Sequence, residues 1–300
     1  MTNDNARGVW LSLITVACWA VLPITLRLAS RHVDPYTVTW YRFLVSAILL
    51  GGFLAMRRRL PMFSHVRVPR SLGLIVLATV GLVSNYVLYL MSLSYVSPTI
   101  STVITQLGPL LLMLGGVLLF HERLSRKQLI GVALLLVGLL LFFNKRLAEV
   151  VDLSGRAGIG AIMCVAASAV WSIYGVSQKV LLARFSSPQV LFLIYVGAAV
   201  ILLPLSAPAS VRGLPALELG MLFLSCLNTL VAYGALAEAL EHAGATTVGA
   251  VLAVGPVASL VVTYVSNRVT PGFFPPDLLN VATVAGACVV TLGSALSANR

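Results

Sequence analysis

Ten uncharged or nearly uncharged stretches run along the chain, at residues 8–26, 36–56, 71–92, 99–120, 128–143, 157–178, 188–206, 217–240, 247–265 and 278–296, each closed by a charged or turn-forming cluster. Such stretches predict helices that cross a bilayer, whose hydrocarbon core takes roughly 20 apolar residues per span. The division is least obvious between residues 71 and 120, a single uncharged run of 50 residues. It is too long for one span, and Ser94-Tyr95-Val96-Ser97-Pro98 inside it supplies the turn chemistry that splits it in two.

Composition agrees with the pattern. Of 300 residues, 59% are hydrophobic and 10% charged, against about 25% charged in soluble domains. That allows about eight to ten spans and leaves little chain for a water-soluble domain. The predicted fold class is an all-α polytopic membrane protein. A net charge of +11 does not point to nucleic acid, because binding needs basic residues gathered on one exposed face. Here they stand in short clusters between apolar stretches, as cytoplasmic loops do. Cys18, Cys164, Cys226 and Cys288 all fall inside apolar stretches with no redox or zinc spacing, and are read as packing residues. The first stretch runs past the length of a signal-peptide core and has no small-residue cleavage pattern before Arg27, so it is read as a membrane helix.

Orientation follows from the loops. With the N-terminus inside, inner segments hold 12 Lys and Arg residues and outer ones 7, Arg42 lying within a span. The positive-inside bias then places both termini in the cytoplasm.

Self-similarity carries more information than charge. A shift of 147 residues sets Gly73 on Gly220, Tyr86 on Tyr233, and Gly108-Pro109 on Gly255-Pro256. A shift of 152 sets Trp19 on Trp171 and Arg27 on Lys179, and a shift of 155 sets Gly131 and Gly138 on Gly286 and Gly293. The chain therefore reads as two five-helix units, 1–147 and 148–300, and an odd number of helices per unit inverts the second against the first. Loop charges fit the inversion. Arg57, Arg58, Arg59, Arg67 and Arg70 follow the second stretch, whereas only Arg212 follows its counterpart, the seventh. Inverted repeats around a midplane site are a recurrent transporter architecture, because exchanging the conformations of two similar halves turns an inward-open state into an outward-open one.

With these features the sequence resembles the EamA-type members of the drug/metabolite transporter superfamily. The resemblance covers nearly the whole chain and rests on several motifs. They are Trp19 and Trp171 in the first helix of each half, Asp34-Pro35 and Arg42, residues 93–98 ahead of Gly108-Pro109, His121-Glu122-Arg123-Leu124-Ser125 with Gly131 and Gly138, and Ala239-Leu240-Glu241-His242-Ala243-Gly244-Ala245. One departure stands out: Asn267-Arg268-Val269-Thr270 replaces the acidic residue that the family carries after the ninth helix. The resemblance implies a ten-helix carrier of small metabolites.

Polar side chains inside a bilayer are costly and usually face the bundle interior or a water-filled cavity. Asn85, Tyr89 and Ser92 share one helix face, with Tyr86 beside them, and Thr102, Gln106 and Pro109 share another. The second half offers Trp171, Tyr174, Gln178, Asn228 and Tyr233. Trp19, Asn85, Tyr86, Tyr89, Gln106, Trp171, Tyr174, Asn228 and Tyr233 are accordingly the candidate substrate-binding residues, an aromatic chamber with a few amides and hydroxyls. Pro109 and Pro256 are candidate hinges, since proline removes a helix hydrogen bond. Glu238, the deepest carboxylate, is the candidate for proton coupling. Arg42, about a turn and a half into its helix, is expected to snorkel outward or pair with Asp34, with contact to an anionic substrate group as the other reading.

The expected function is secondary transport, in the export direction, of an amino acid or drug-like amphipathic compound by alternating access. A sugar-phosphate or nucleotide-sugar carrier is the alternative substrate reading, and a non-transporting scaffold or sensor the alternative class. An enzyme is not expected, because no catalytic cluster falls within a span: His32, His65, His121 and His242 are scattered, and no phosphate loop is present. No cofactor or metal is implied. The expected partners are a small-molecule substrate, the lipid bilayer and a proton as coupling ion.

Overall fold

The structure, a computed structural model, describes residues 3–62, 66–120, 125–144, 155–252, 254–274 and 280–298. The described residues form α1 (Asn3–Ala29), α2 (Pro35–Met56), α3 (Pro69–Ser92), α4 (Pro98–Thr105), α5 (Leu107–Phe120), α6 (Arg126–Phe142), α7 (Arg156–Leu181), α8 (Ser187–Leu202), α9 (Ala216–Leu252), α10 (Gly255–Val269) and α11 (Val281–Ala298). Two short 3₁₀ turns, Leu203–Leu205 and Pro208–Val211, follow α8. No strand is present among the described residues; helices satisfy their backbone groups within each span, one of the two ways lipid allows. Six described helices are long and apolar enough to cross a membrane unaided. The remaining predicted spans are the shorter α6 and α11 and two interrupted helices.

Helix ends fall where the sequence supplies caps. Asp34 accepts from the backbone N–H groups of Tyr36 and Thr37 at 2.9 and 3.0 Å, with Pro35 opening α2. Ser97 caps α4, and Ser125-Gln128 and Ser186-Gln189 form reciprocal capping boxes on α6 and α8.

The halves interlock in antiparallel pairs. α1 packs on α9, where Thr15 Oγ1 donates to the carbonyl of Ala232 and Asn228 Nδ2 to that of Cys18. α3 packs on α7, with Asn85 Nδ2 donating to the carbonyl of Ala167, and α2 packs on α8, with Trp40 Nε1 donating to the carbonyl of Ala199. Superimposing the halves exchanges the α1–α9 pair with the α7–α3 pair and maps α2–α8 onto itself reversed. That is the signature of a pseudo-two-fold axis lying in the membrane plane. The protein is a polytopic bundle of two inverted five-helix sets.

Glycine makes the closest of these contacts possible. A Cβ on Gly138 would meet the carbonyl of Gly286, and one on Gly293 the carbonyl of Gly131, so α6 and α11 touch backbone to backbone. The two contacts are the same contact seen from each repeat, since Gly131 and Gly138 align with Gly286 and Gly293. Small residues allow this approach, and dispersion over the seam stabilises it where lipid offers no hydrophobic driving force.

One boundary differs from expectation. The sequence predicts a link between residues 240 and 247, yet the helix bounds of α9 continue to Leu252. The equivalent link in the first half, between α3 and α4, is ended by Pro98 and its Ser97 cap, whereas no proline stands between residues 240 and 252. Glu238 reaches Arg7 near the start of α1, while α10 runs antiparallel to α4, with Thr102 Oγ1 donating to Ser259 Oγ at 3.1 Å.

The glycine seam gives a direct test. Gly286→Val places its side chain into backbone atoms of α6 and should destabilise the fold by at least about 1–3 kcal/mol. Gly220→Ala meets open space and should leave stability unchanged or slightly raised. Thermal unfolding in detergent, followed by size-exclusion chromatography, reads both; equal melting temperatures would sink the seam as a packing determinant.

Candidate functional site

A cavity of about 500 Å³ lies between the halves. It is walled by α1, α2, α3, α4, α5, α7, α8, α9, α10 and α11. All nine residues singled out as substrate-binding candidates line it. Trp19 meets Tyr233 edge-on with centroids 5.9 Å apart, Tyr233 lies 6.4 Å from Tyr86, and Tyr86 lies 4.7 Å from Phe43. Across the space Trp171 and Tyr174 are 6.4 Å apart, and Trp171 lies alongside Gly108, where a Cβ would stand 3.1 Å from the indole. The result is an aromatic chamber whose polar groups are largely amides and hydroxyls.

Several of those groups are already committed. The amides of Asn85 and Asn228 donate to backbone carbonyls of neighbouring helices and so tie the wall together. The Asn228 Oδ1 atom is buried without a hydrogen-bond partner. Gln106 accepts from Ser294 Oγ at 2.8 Å, which links α4 to α11.

The two interrupted helices meet at this chamber. α4 stops at Thr105 and α5 starts at Leu107, so the break falls on Gln106. α9 stops at Leu252 and α10 starts at Gly255, and the shift of 147 residues that superimposes Pro109 on Pro256 carries residue 106 onto residue 253. Gln106 lies about one turn before Pro109, and Leu252, the last residue of α9, about one turn before Pro256, which is where the missing N–H leaves a carbonyl without its helical partner. Pro256 is buried at the start of α10. For Pro109 the backbone belongs to α5 and the side chain lies outside the described residues. So do residues 121–124 of the family motif.

Arg42 departs from expectation. Its side chain is 2% exposed, lines the cavity and neither snorkels nor reaches Asp34, whose oxygens are taken by the α2 cap and by Thr37 Oγ1. Instead Nε donates to Thr229 Oγ1 at 3.0 Å and the guanidinium carbon sits 4.4 Å from the centre of the Tyr86 ring. A stem rooted on the inner face of α2 points the wrong way for the surface, and a cation–π contact with one hydrogen bond holds it there. Thr229, Ser168, Ser259 and Ser294 also line the wall without having been singled out. A signal for Ser168 is present: Ser168, Trp171, Gly175 and Gln178 follow the three-to-four spacing of one helix face.

Glu238 does not reach the chamber. It lies at the α1–α9 contact, partly exposed and paired with Arg7. Ser92 is buried outside the cavity, bonded to Ser101, and Lys179 is exposed outside it. Among the described residues no cluster suited to a metal ion occurs.

An interior chamber between inverted repeats is the architecture of carriers. The sequence pattern of the EamA-like transporter family matches residues 6–144 and 158–297. The chain belongs to this family. The uncharacterized inner membrane transporter YhbE of Escherichia coli K12 is 40% identical, over 99% of this chain and 93% of its own. An uncharacterized transporter of Haemophilus influenzae is 34% identical over 99% and 96%. A probable amino-acid metabolite efflux pump of Salmonella typhimurium is 23% identical over 77% of each chain. A solved crystal structure that covers 98% of this chain and 97% of its own superposes with a TM-score of 0.64 at 20% identity, a likeness of fold alone. Membership makes this EamA-like chain a membrane transporter of small molecules and not an enzyme.

The cavity wall can be checked by labelling. Ser168→Cys and Gln178→Cys should react with a water-soluble thiol reagent, whereas Val165→Cys, on the outward side of α7, should not. Equal labelling at all three sites would place α7 in a different rotation.

Proposed function

We propose that the protein is a secondary exporter of an amino-acid-like or drug-like amphipathic metabolite, working by alternating access, with the aromatic chamber as its binding site. The observation that carries this reading is the convergence of Trp19, Tyr86, Trp171, Tyr174 and Tyr233, drawn from both repeats, on one cavity. Aromatic faces suit a ligand with an apolar body, and the efflux function named for the Salmonella relative supports the direction. The units 1–147 and 148–300 act as the two exchanging halves, with both termini on the cytoplasmic side.

The paired breaks supply the bending points. At Gln106 and Val254 the backbone N–H bonds to the carbonyl three residues back, a tightened turn ahead of each proline, and Pro109 and Pro256 act as hinges there. Glu238 is the proton-coupling group, and its pairing with Arg7 ties it to the α1–α9 contact.

Reconstitution into liposomes tests these assignments together. Metabolites depleted in cells overproducing the protein, relative to cells with Trp171→Ala, identify cargo, and flux of the best candidate is then measured. Trp171→Ala should lower flux about five- to thirtyfold if the indole carries about 1–2 kcal/mol of binding. Pro109→Ala with Pro256→Ala should slow it, and Glu238→Gln should abolish its dependence on a proton gradient. Unchanged flux in the proline pair removes the hinges, and retained gradient dependence removes Glu238.

A further inference from the structure

Among the described residues the cation in the chamber wall has no counter-ion. Neither of the described ion pairs involves Arg42, and its Nε–H is its one donor with an acceptor among those residues, Thr229 Oγ1. A guanidinium has five N–H donors in a planar fork, so the terminal groups of Arg42 have no hydrogen-bond acceptor among the described residues, although the side chain is 2% exposed. Burying a charge is costly unless it is paired and hydrogen-bonded. Tyr86 covers one face of the guanidinium, and a ring face offsets only part of that cost. The fork edge, which fits a carboxylate in two parallel hydrogen bonds, is the part left for a ligand.

We propose that Arg42 is the subsite for a carboxylate and that the preferred cargo is an amphipathic monocarboxylate, a monoanion with an aromatic or aliphatic body. This deepens the transport reading above and rests on it. Charge balance selects the class. Among the described residues of the lining, Arg42 is the sole formally charged side chain, so a monoanion leaves the loaded chamber neutral. A zwitterion would bring an ammonium with no carboxylate in that lining to meet it, and a doubly charged phosphate monoester would leave one charge uncompensated. The body of the ligand would lie against Trp19, Trp171 and Tyr233, the rings that share the cavity with Arg42.

Equilibrium dialysis of the purified full-length protein in lipid nanodiscs tests this with radiolabelled N-acetylphenylalanine, N-acetylphenylalanine amide and phenyl phosphate. The acid should bind at least about tenfold more tightly than its neutral amide, the expected size of charge-assisted hydrogen bonds to one group. Arg42→Gln should bring the acid down to the level of the amide, and Arg42→Lys should retain part of the preference. Equal affinity of acid and amide in the unaltered protein overturns the proposal without any variant having to fold, and leaves the chamber reading standing. Persistence of the preference in Arg42→Gln overturns it too. Tighter binding of phenyl phosphate than of the acid overturns the monocarboxylate assignment, and absence of binding by all three removes the chamber reading and the proposal together.

Discussion

Inside hydrocarbon each backbone N–H and C=O must find a partner within the protein, at several kcal/mol for each one left over. Most of this chain obeys by staying helical. Among the described residues, helix breaks inside predicted spans fall at Gln106 and between Leu252 and Gly255, and Gln106, Leu252 and Gly255 line the cavity. Freed carbonyls there have protein or water to turn to, and would have neither on the lipid face. The prolines thus mark the depth at which the bundle stops being a solid core, and the amide and hydroxyl bonds from Gln106 to Ser294 and from Thr102 to Ser259 tie the broken helices across the halves.

The pseudo-two-fold arrangement makes most interactions occur in pairs. Glycine meets glycine twice on the α6–α11 seam, and Trp19 and Trp171 enter the chamber from equivalent helices, as do Tyr86 and Tyr233. Packing written once in the sequence is used twice. Arg42 breaks this rule. Aligning Pro35 with Pro188 at the starts of α2 and α8 sets Arg42 against Tyr195, a buried neutral ring. The chamber is symmetric in shape and asymmetric in charge.

Hydrophobic pattern and internal repeat made the bundle readable in advance, because span length is a property of lipid thickness and inversion follows from an odd helix count. The chamber rings were readable for a related reason: a polar or amphipathic side chain inside a span has few places to go but inward, and the nine candidates all face the cavity. Depth along a helix was readable too, but direction around it was not. Arg42 sits close enough to the membrane surface to snorkel, and only the packing of Thr229 and Tyr86 shows that its side chain turns inward. Glu238 failed to reach the chamber for the converse reason, since from within α9 its carboxylate turns to Arg7 on the neighbouring helix. Long-range partners of this kind, 231 positions apart in the chain, leave no trace in local periodicity.

A charge fixed in the wall of a transport chamber also stands in an electric field. Arg42 lies about 10 Å from the start of α2, within the low-dielectric slab across which the membrane potential falls. Carrying one elementary charge across the full drop is worth about 2.3 kcal/mol per 100 mV. Any rearrangement that shifts water access from one side of Arg42 to the other changes the fraction of that drop the cation has crossed, even if the atom itself moves little. The resting potential of the cell then becomes a force on the empty carrier, biasing which way the chamber faces before a substrate arrives.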